Sequence, residues 1–323
     1  MAVHTKLTKQ EIASFIKENY QIGELLSFKE IVDGIDNSNF IIETNVNKFI
    51  LTIFESRINA DELPFFMNLK LHLAGHGISC PEPINNNSGS IISLIKNKSA
   101  SIVSFLNGTT LKPEKNGLYD SITIKNCAQI GKVAASLHKA VLDFKEVRRN
   151  DLGISDWEGF FNKIAEKTDD YQQGLRAEIR GYVDFLIRNW QINHPKGVVH
   201  VDMFPDNVFF DKKGDLSGVI DFYFAANDLF IYDLAIVINA WCFDKNNQFS
   251  QEKYDVLLQE YQKIRPISNI EMEFLRIALV GASLRFLLTR LYDLFFTPED
   301  SLVNIKDPQE YLQKTRFFFK NLS

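Results

Sequence analysis

The chain has 323 residues, enough for about two domains at ~150 residues each. With 45% hydrophobic and 24% charged residues it is a globular protein, which excludes wholesale disorder, a collagen-like fibre and a disulfide miniprotein. The 36 basic and 41 acidic residues leave a formal net charge of -5, so no nucleic-acid partner is expected, and any polyanion it handles must be small and met by a local site.

In chain order, the start is a short amphipathic stretch through Ile12, Phe15 and Ile16, with no apolar run and no cleavage-type end, so no signal peptide is expected. Residues 25–32 read as a strand, 34–39 as a turn of Gly, Asp, Asn and Ser, and 40–43 and 49–54 as two more strands between Asn-rich turns. Residues 63–73 carry helical spacing through Leu63, Phe66, Leu69/Lys70 and Leu73, ended by Gly75, Gly77, Pro81 and Pro83. Residues 91–95 and 101–106 read as a last hairpin. From Gly108 the pattern turns helical, with one apolar stripe through Cys127, Ile130, Val133/Ala134 and Leu137. A second runs through Phe274, Ile277/Ala278, Gly281, Leu284, Leu287/Leu288 and Leu291. Three short strand-like runs, 197–201, 208–210 and 218–221, lie between them.

The longest apolar runs, 229–243 and 274–296, are interrupted by Asp233 and Asn239 and by Arg276, Arg285, Arg290 and Asp293. Both read as buried helices, and no membrane partner is expected. Cys80, Cys127 and Cys242 are far apart and form no CxxC pair, which argues against a disulfide framework or zinc cage and suits a reducing cytoplasm. The expected fold is α+β: a small β-rich lobe over 1–106, and a larger, mainly helical lobe over 107–323 that carries the catalytic candidates on a β-hairpin.

The decisive segment is VVHVDMFPDN, residues 198–207, which sets His200, Asp202 and Asn207 in the spacing H-x-D-x-x-x-x-N. Asp221 follows in GVIDFYF, a charge placed in an apolar strand. Phosphoryl transfer needs a carboxylate to take the proton of the attacking hydroxyl, and oxygen donors to hold the Mg²⁺ that accompanies ATP. Asp202 suits the first role, and Asn207 and Asp221 the second. His200 is expected to brace the loop, not to transfer a proton. Asp233, in YDLA, is either a carboxylate favoured by a helix N-terminus or a buried acid accepting hydrogen bonds from the catalytic-loop backbone. The second reading is preferred because buried charges are normally paired.

HVDMFPDN, IDFYF and YDLA resemble the aminoglycoside-phosphotransferase-like superfamily, a branch of the protein-kinase-like fold. IGELLSFKEIVDGIDNSNFIIET, ELPFFMNLKLHLAGHGISCPEPI, FYFAAND, NAWCF, RFLLTRLYD and KDPQEY are similar, within it, to the bacterial homoserine kinase family. The resemblance covers nearly the whole chain. It implies a two-lobed kinase-like fold and ATP-dependent phosphorylation of the L-homoserine hydroxyl, giving O-phospho-L-homoserine on the route to threonine. It also implies that residues 34–39, with Gly34, Asn37, Ser38 and Asn39, form the loop over the phosphates, although GIDNSN also reads as a simple turn. Ser104 and Leu106 take the position of the hinge that meets adenine.

One departure stands out. Where kinase-like proteins place a Lys or Arg to grip the phosphates, FILTIFE has Thr52, so Lys48, Arg57 or another base is expected to reach in, unless loop amides and Mg²⁺ suffice. Glu62, the place of the usual acidic partner, reads as a solvated helix-start residue. The substrate carboxylate calls for helix N-terminal amides or an arginine, with Arg285 and Arg290 the candidates, and the ammonium for Asp206 or Asp228. Tyr223 is a candidate wall, and Trp241 reads as core. Two other readings remain at this point: a kinase of the same fold acting on choline, ethanolamine, an amino sugar or an aminoglycoside, and a silent nucleotide-binding module suggested by Thr52.

Overall fold

In the computed structural model, which describes residues 5–31, 37–55, 59–114, 117–298 and 305–322, the early apolar alternation becomes one antiparallel sheet. The chain forms two units, Met1–Asn107 with Gly218–Tyr223, and Gly108–Ser217 with Phe224–Ser323.

The first unit opens with α1 (Lys9–Asn19), started by a capping box between Thr8 and Glu11. Strands β1 (Leu25–Ile31), β2 (Asn37–Thr44) and β3 (Lys48–Phe54) follow. Next come helix α2 (Leu63–Gly75), with Pro64 in its first turn, and strands β4 (Ser93–Ile95) and β5 (Lys98–Ser104). The strand order is β1-β2-β3-β5-β4. Phe40, Ile42, Leu51, Ile53 and Ile102 bury one face against Ile12, Phe15 and Ile16 of α1.

The sequence assigned 37–39 to a turn. They are instead the start of β2, with Asn37 opposite Phe54, Ser38 opposite Ile53 and Asn39 opposite Thr52. Their polar side chains find partners on neighbouring segments, so composition alone misread them. Gly34, and Arg57 as well, lie outside the described residues.

Segment 218–223 belongs by contact to this unit, not to the second one where the sequence reading put it. Val219 donates its N–H to Ser79 O at 2.9 Å. Gly218 permits the approach, since a Cβ there would fall 2.6 Å from Leu106 Cδ1 and 3.1 Å from Ser79 O.

The second unit contains β6 (Thr109–Thr110) and helices α3 (Ile124–Ala140), α4 (Ile154–Tyr171) and α5 (Leu175–Asn189). Then follow β7 (Lys196–Val199), β8 (Val208–Phe210), β9 (Leu216–Val219), which ends in the first unit, and β10 (Ala226–Leu229). Helices α6 (Phe230–Trp241), α7 (Gln251–Gln262), α8 (Asn269–Phe296) and α9 (Pro308–Lys320) complete it. Every residue of α6 is buried, and α8 packs along it, which accounts for the two apolar runs. No helix among the described residues is long and apolar enough to cross a membrane.

Of the three short strands expected around the catalytic candidates, the second and third pair as a hairpin, β8 beside β9, between Asn207 and Asp221, and the first does not join them. β7 pairs antiparallel with β10, while β8 lies between β6 and β9. The loop from His200 to Asn207 therefore joins two different sheets. It is held by side chains from the helices instead of by strand pairing across its ends.

Candidate active site

Beyond β7 the backbone turns sharply. Val201 has φ 54°, a left-handed conformation that a β-branched residue keeps only when its surroundings enforce it. Asp233, in the first turn of α6, does so: its Oδ1 accepts the Val201 N–H at 2.7 Å and its Oδ2 the His200 N–H at 3.4 Å. Burial pushes the Asp233 carboxyl up, but the His138 hydrogen bond, the flanking imidazoles and the Val201 N–H hold it net below the ordinary carboxylate range. His138, pushed down by its own burial, is neutral. Its Nε2–H donates to Asp233 at 2.8 Å and its Nδ1 accepts the Tyr261 hydroxyl at 2.7 Å.

Two further bonds shape the loop. His200 Nδ1 accepts the Asp202 N–H at 3.3 Å, and Trp241 Nε1 donates to Met203 O at 2.8 Å. Trp241 is thus both core and loop support, the second role being one the sequence reading missed. Asn207 donates from Nδ2 to Asp202 O at 2.9 Å and to Asp202 Oδ2 at 3.1 Å. Its Oδ1, the atom a hard cation takes, meets no protein donor among the described residues. Burial pushes the Asp202 carboxyl up against the opposing pull of Arg285, Lys306 and His200. The side chain remains 22% accessible.

Beside Asp202, Arg285 Nη1 stands 4.0 Å from Oδ1. The guanidinium is 4% exposed and lies 3.9 Å from the centre of the Phe286 ring, yet its Nε and Nη1 have no hydrogen-bond partner among the described residues. The Tyr232 and Tyr311 hydroxyls, also without partners among the described residues, lie within the field of the same guanidinium. These are costly orphans unless a ligand meets them. Both tyrosines sit inside quoted segments, YDLA and KDPQEY, but nothing local marks their hydroxyls as buried without partners.

Arg290 differs. It donates to Glu310 Oε2 at 2.6 Å and to Asp307 O at 2.9 Å, so it is engaged within the fold. Burial pushes Glu310 up, but Lys314 and Arg290 bring it down to about 2. Asp206 pairs with Lys306 at 3.6 Å. Asp228 lies in β10 and accepts from Asn150 Nδ2 at 2.6 Å and from the Leu229 N–H at 2.7 Å, with burial pushing it above the ordinary range. Neither acid presents an unengaged carboxylate.

In the first unit, Glu55 gathers the polar side chains expected over the phosphates. It accepts from Ser38 and Thr5, each at 2.7 Å, and from Lys98, while its own N–H donates to Asn37 Oδ1 at 3.3 Å. Asn37 and Ser38 are thereby committed to holding the strand. Thr52 donates to Asn39 Oδ1 at 2.8 Å. Lys48, at the outer end of β3, is 3.6 Å from Glu43 on the surface. Ser104 spends its N–H on Glu82 O and accepts the Glu82 N–H, while the Leu106 N–H has no acceptor among the described residues.

On the same unit, Asp221 has φ 63°. Tyr223 packs edge-on against Phe54 and Phe66, and Lys70 of α2 lies 5.3 Å from the centre of its ring. Lys70 is buried. Desolvation lowers it to about 8, against the opposing pull of Cys80 and Asp221.

A family model described as "Phosphotransferase enzyme family" matches residues 27–267. The chain belongs to the phosphotransferase enzyme family. Within that family it is 44% identical to a homoserine kinase of Agrobacterium fabrum over 318 residues, 98% of this chain and 95% of that protein. A homoserine kinase of Rhizobium rhizogenes is also 44% identical, over 98% of this chain and 96% of its own length.

Among solved phosphotransferase structures, amicoumacin kinase hAmiN in complex with AMP-PNP and Ca²⁺ superposes with a TM-score of 0.68 at 13% identity, covering 97% of this chain and 93% of that one. Choline kinase LicA from Streptococcus pneumoniae gives 0.63 at 17% identity, covering 97% and 96%. The α+β fold expected from the motifs, protein-kinase-like, is the fold found.

Proposed function

We propose that the chain is a homoserine kinase, an ATP-dependent phosphotransferase that converts L-homoserine to O-phospho-L-homoserine on the route to threonine. The observation that carries this reading is the 44% identity to homoserine kinases over 98% of the chain. The orphaned Arg285 guanidinium beside Asp202 agrees with it, because an amino-acid substrate brings a carboxylate that such a fork accepts.

Asp202 takes the proton of the homoserine side-chain hydroxyl. The hydroxyl oxygen bonds to the γ-phosphorus as the bond to the ADP oxygen breaks, and the proton passes from Asp202 to solvent. The carboxyl suits this role: burial keeps its proton affinity above that of a free aspartate, and the Asn207 amide and the His200-braced backbone fix its direction. Arg285, with the Tyr232 and Tyr311 hydroxyls, binds the substrate carboxylate and sets the hydroxyl's reach. Asn207 Oδ1 and the Asp221 carboxylate are hard oxygen donors of the kind Mg²⁺ takes, and they would hold it; when bound, the ion neutralises phosphate charge. Leu106 offers backbone to adenine.

The competing kinases of choline or ethanolamine have substrates with no carboxylate, which would leave the Arg285 fork unmatched. The test is a panel of alcohols with Mg·ATP: homoserine, choline, ethanolamine and an aminoglycoside. Turnover of homoserine far above the others is expected. Strong turnover of choline with none of homoserine would overturn the assignment.

A further inference from the structure

The strand position that usually carries the phosphate-gripping cation holds Thr52, whose hydroxyl is already given to Asn39 at 2.8 Å. Lys70 occupies the inner stripe of α2 with Leu63, Phe66 and Met67, where an apolar residue belongs. It is 5% exposed. Among the described residues, no carboxylate or other acceptor lies within ion-pair or hydrogen-bond distance of its Nζ. Its Nζ lies over the face of Tyr223, and the Cys80 and Asp221 side chains act on it electrostatically. Burial pushes the thiol up to about 12, so Cys80 supplies no counter-charge.

A buried ammonium with no partner destabilises a fold by several kcal/mol unless something compensates, so the missing anion is one that arrives. Asp221, proposed above as a metal ligand, adds the second feature of a polyphosphate site. We propose that Lys70 is the cation that binds the phosphates of ATP, supplied from α2 in place of the residue absent at Thr52. This rests on the kinase reading given above. Each non-bridging phosphate oxygen that Nζ contacts becomes a charge-assisted acceptor, and the long flexible stem lets a lysine on the helix reach where a threonine on the strand cannot.

The test is Lys70→Met, nearly isosteric and without the charge. ATP affinity is expected to fall about 10- to 100-fold, the range for a lost hydrogen bond to a charged group. AMP affinity and the homoserine KM are expected to stay within about twofold, since neither contact involves the outer phosphates. The nucleotide-free variant is expected to melt at or above the parent temperature, because an unpaired buried charge has been removed. A purely structural lysine would give the opposite: lower melting and an unchanged ratio of ATP to AMP affinity.

A second measurement uses the unaltered protein. An acyl-phosphate derivative of ATP transfers its acyl group to a lysine amine next to the phosphates, with the nucleotide phosphate as leaving group. Peptide mapping should find the label on Lys70, blocked by excess ATP. Parental ATP affinity in Lys70→Met, or labelling of another lysine with Lys70 untouched, overturns the inference while leaving the kinase reading intact. A parent protein that neither binds ATP nor phosphorylates homoserine refutes that underlying reading instead.

Discussion

Asp233 holds Val201: one carboxylate oxygen, 2.7 Å from the Val201 N–H, keeps a β-branched residue at φ 54° immediately before Asp202. The direction of the candidate base therefore depends on an acid that is itself fixed by His138 and, through it, by Tyr261. Removing that acceptor leaves two buried N–H groups of the loop unpaired and a strained turn unsupported. Asp233→Ala should lower kcat by more than tenfold, about the effect of a small misplacement of reacting groups, and should lower the melting temperature as well. Nucleotide affinity is expected to change little. A variant with parental kcat would show that the turn is held by other contacts.

Asp202→Ala removes the proposed proton acceptor. A loss of at least about 100-fold in kcat is expected from the usual range for general-base positioning. ATP binding should persist, which can be checked by titrating nucleotide into the variant. An unchanged rate would exclude Asp202 from the role.

Arg285→Met should raise the homoserine KM by about tenfold or more, in line with loss of a charge-assisted contact, and leave the ATP KM near the parental value. The sharper readout is discrimination. The parent should prefer homoserine to 3-aminopropan-1-ol, which lacks the carboxylate, and the variant should largely lose that preference. Arg285→Lys is expected to rescue little, because a single ammonium does not reproduce a planar fork. Tyr232→Phe and Tyr311→Phe should each weaken homoserine binding more modestly. Retained preference in Arg285→Met would place the carboxylate elsewhere.

The Glu310 carboxylate, brought down to about 2 by Lys314 and Arg290 despite its burial, carries a pH dependence of stability. Its folded value lies below the ordinary 4.5, so its stabilising contribution is fully present above 4.5 and is lost as the pH falls towards 2. Denaturant melts at pH 3 and pH 6 should differ more in the parent than in Glu310→Gln. Equal differences in the two proteins would dissociate the acid sensitivity from this ion-pair cluster.

The candidate catalytic loop was proposed from residues 198–207 because its polar groups are close along the chain, and their types at that spacing suit the chemistry directly. The helical stripes at 127–137 and 274–291 were legible for the same reason: periodicity is local. The turn assigned to 37–39 was misread because Asn and Ser favour turns only until a distant partner such as Glu55 takes their side chains. The three strand-like runs at 197–201, 208–210 and 218–221 do not share one sheet, because neighbouring runs need not all pair: β8 meets β9, whereas β7 found β10.

By itself, then, the sequence determined the kind of chemistry, the loop proposed to carry it and the alternation of a sheet followed by helices. Tertiary structure alone decided which arginine of α8 has open donors, since Arg290 meets Glu310 from α9 while Arg285 meets no acceptor at its Nε or Nη1 among the described residues. It also decided that the segment bearing Asp221 packs with the first unit, and that the lysine on the inner face of α2 is left without an anion. The physical reason is the same throughout. Residue type and spacing fix what a group can do, but hydrogen-bond partners and desolvation come from residues far away in the chain, and they decide which groups are used up by the fold and which remain available to a ligand.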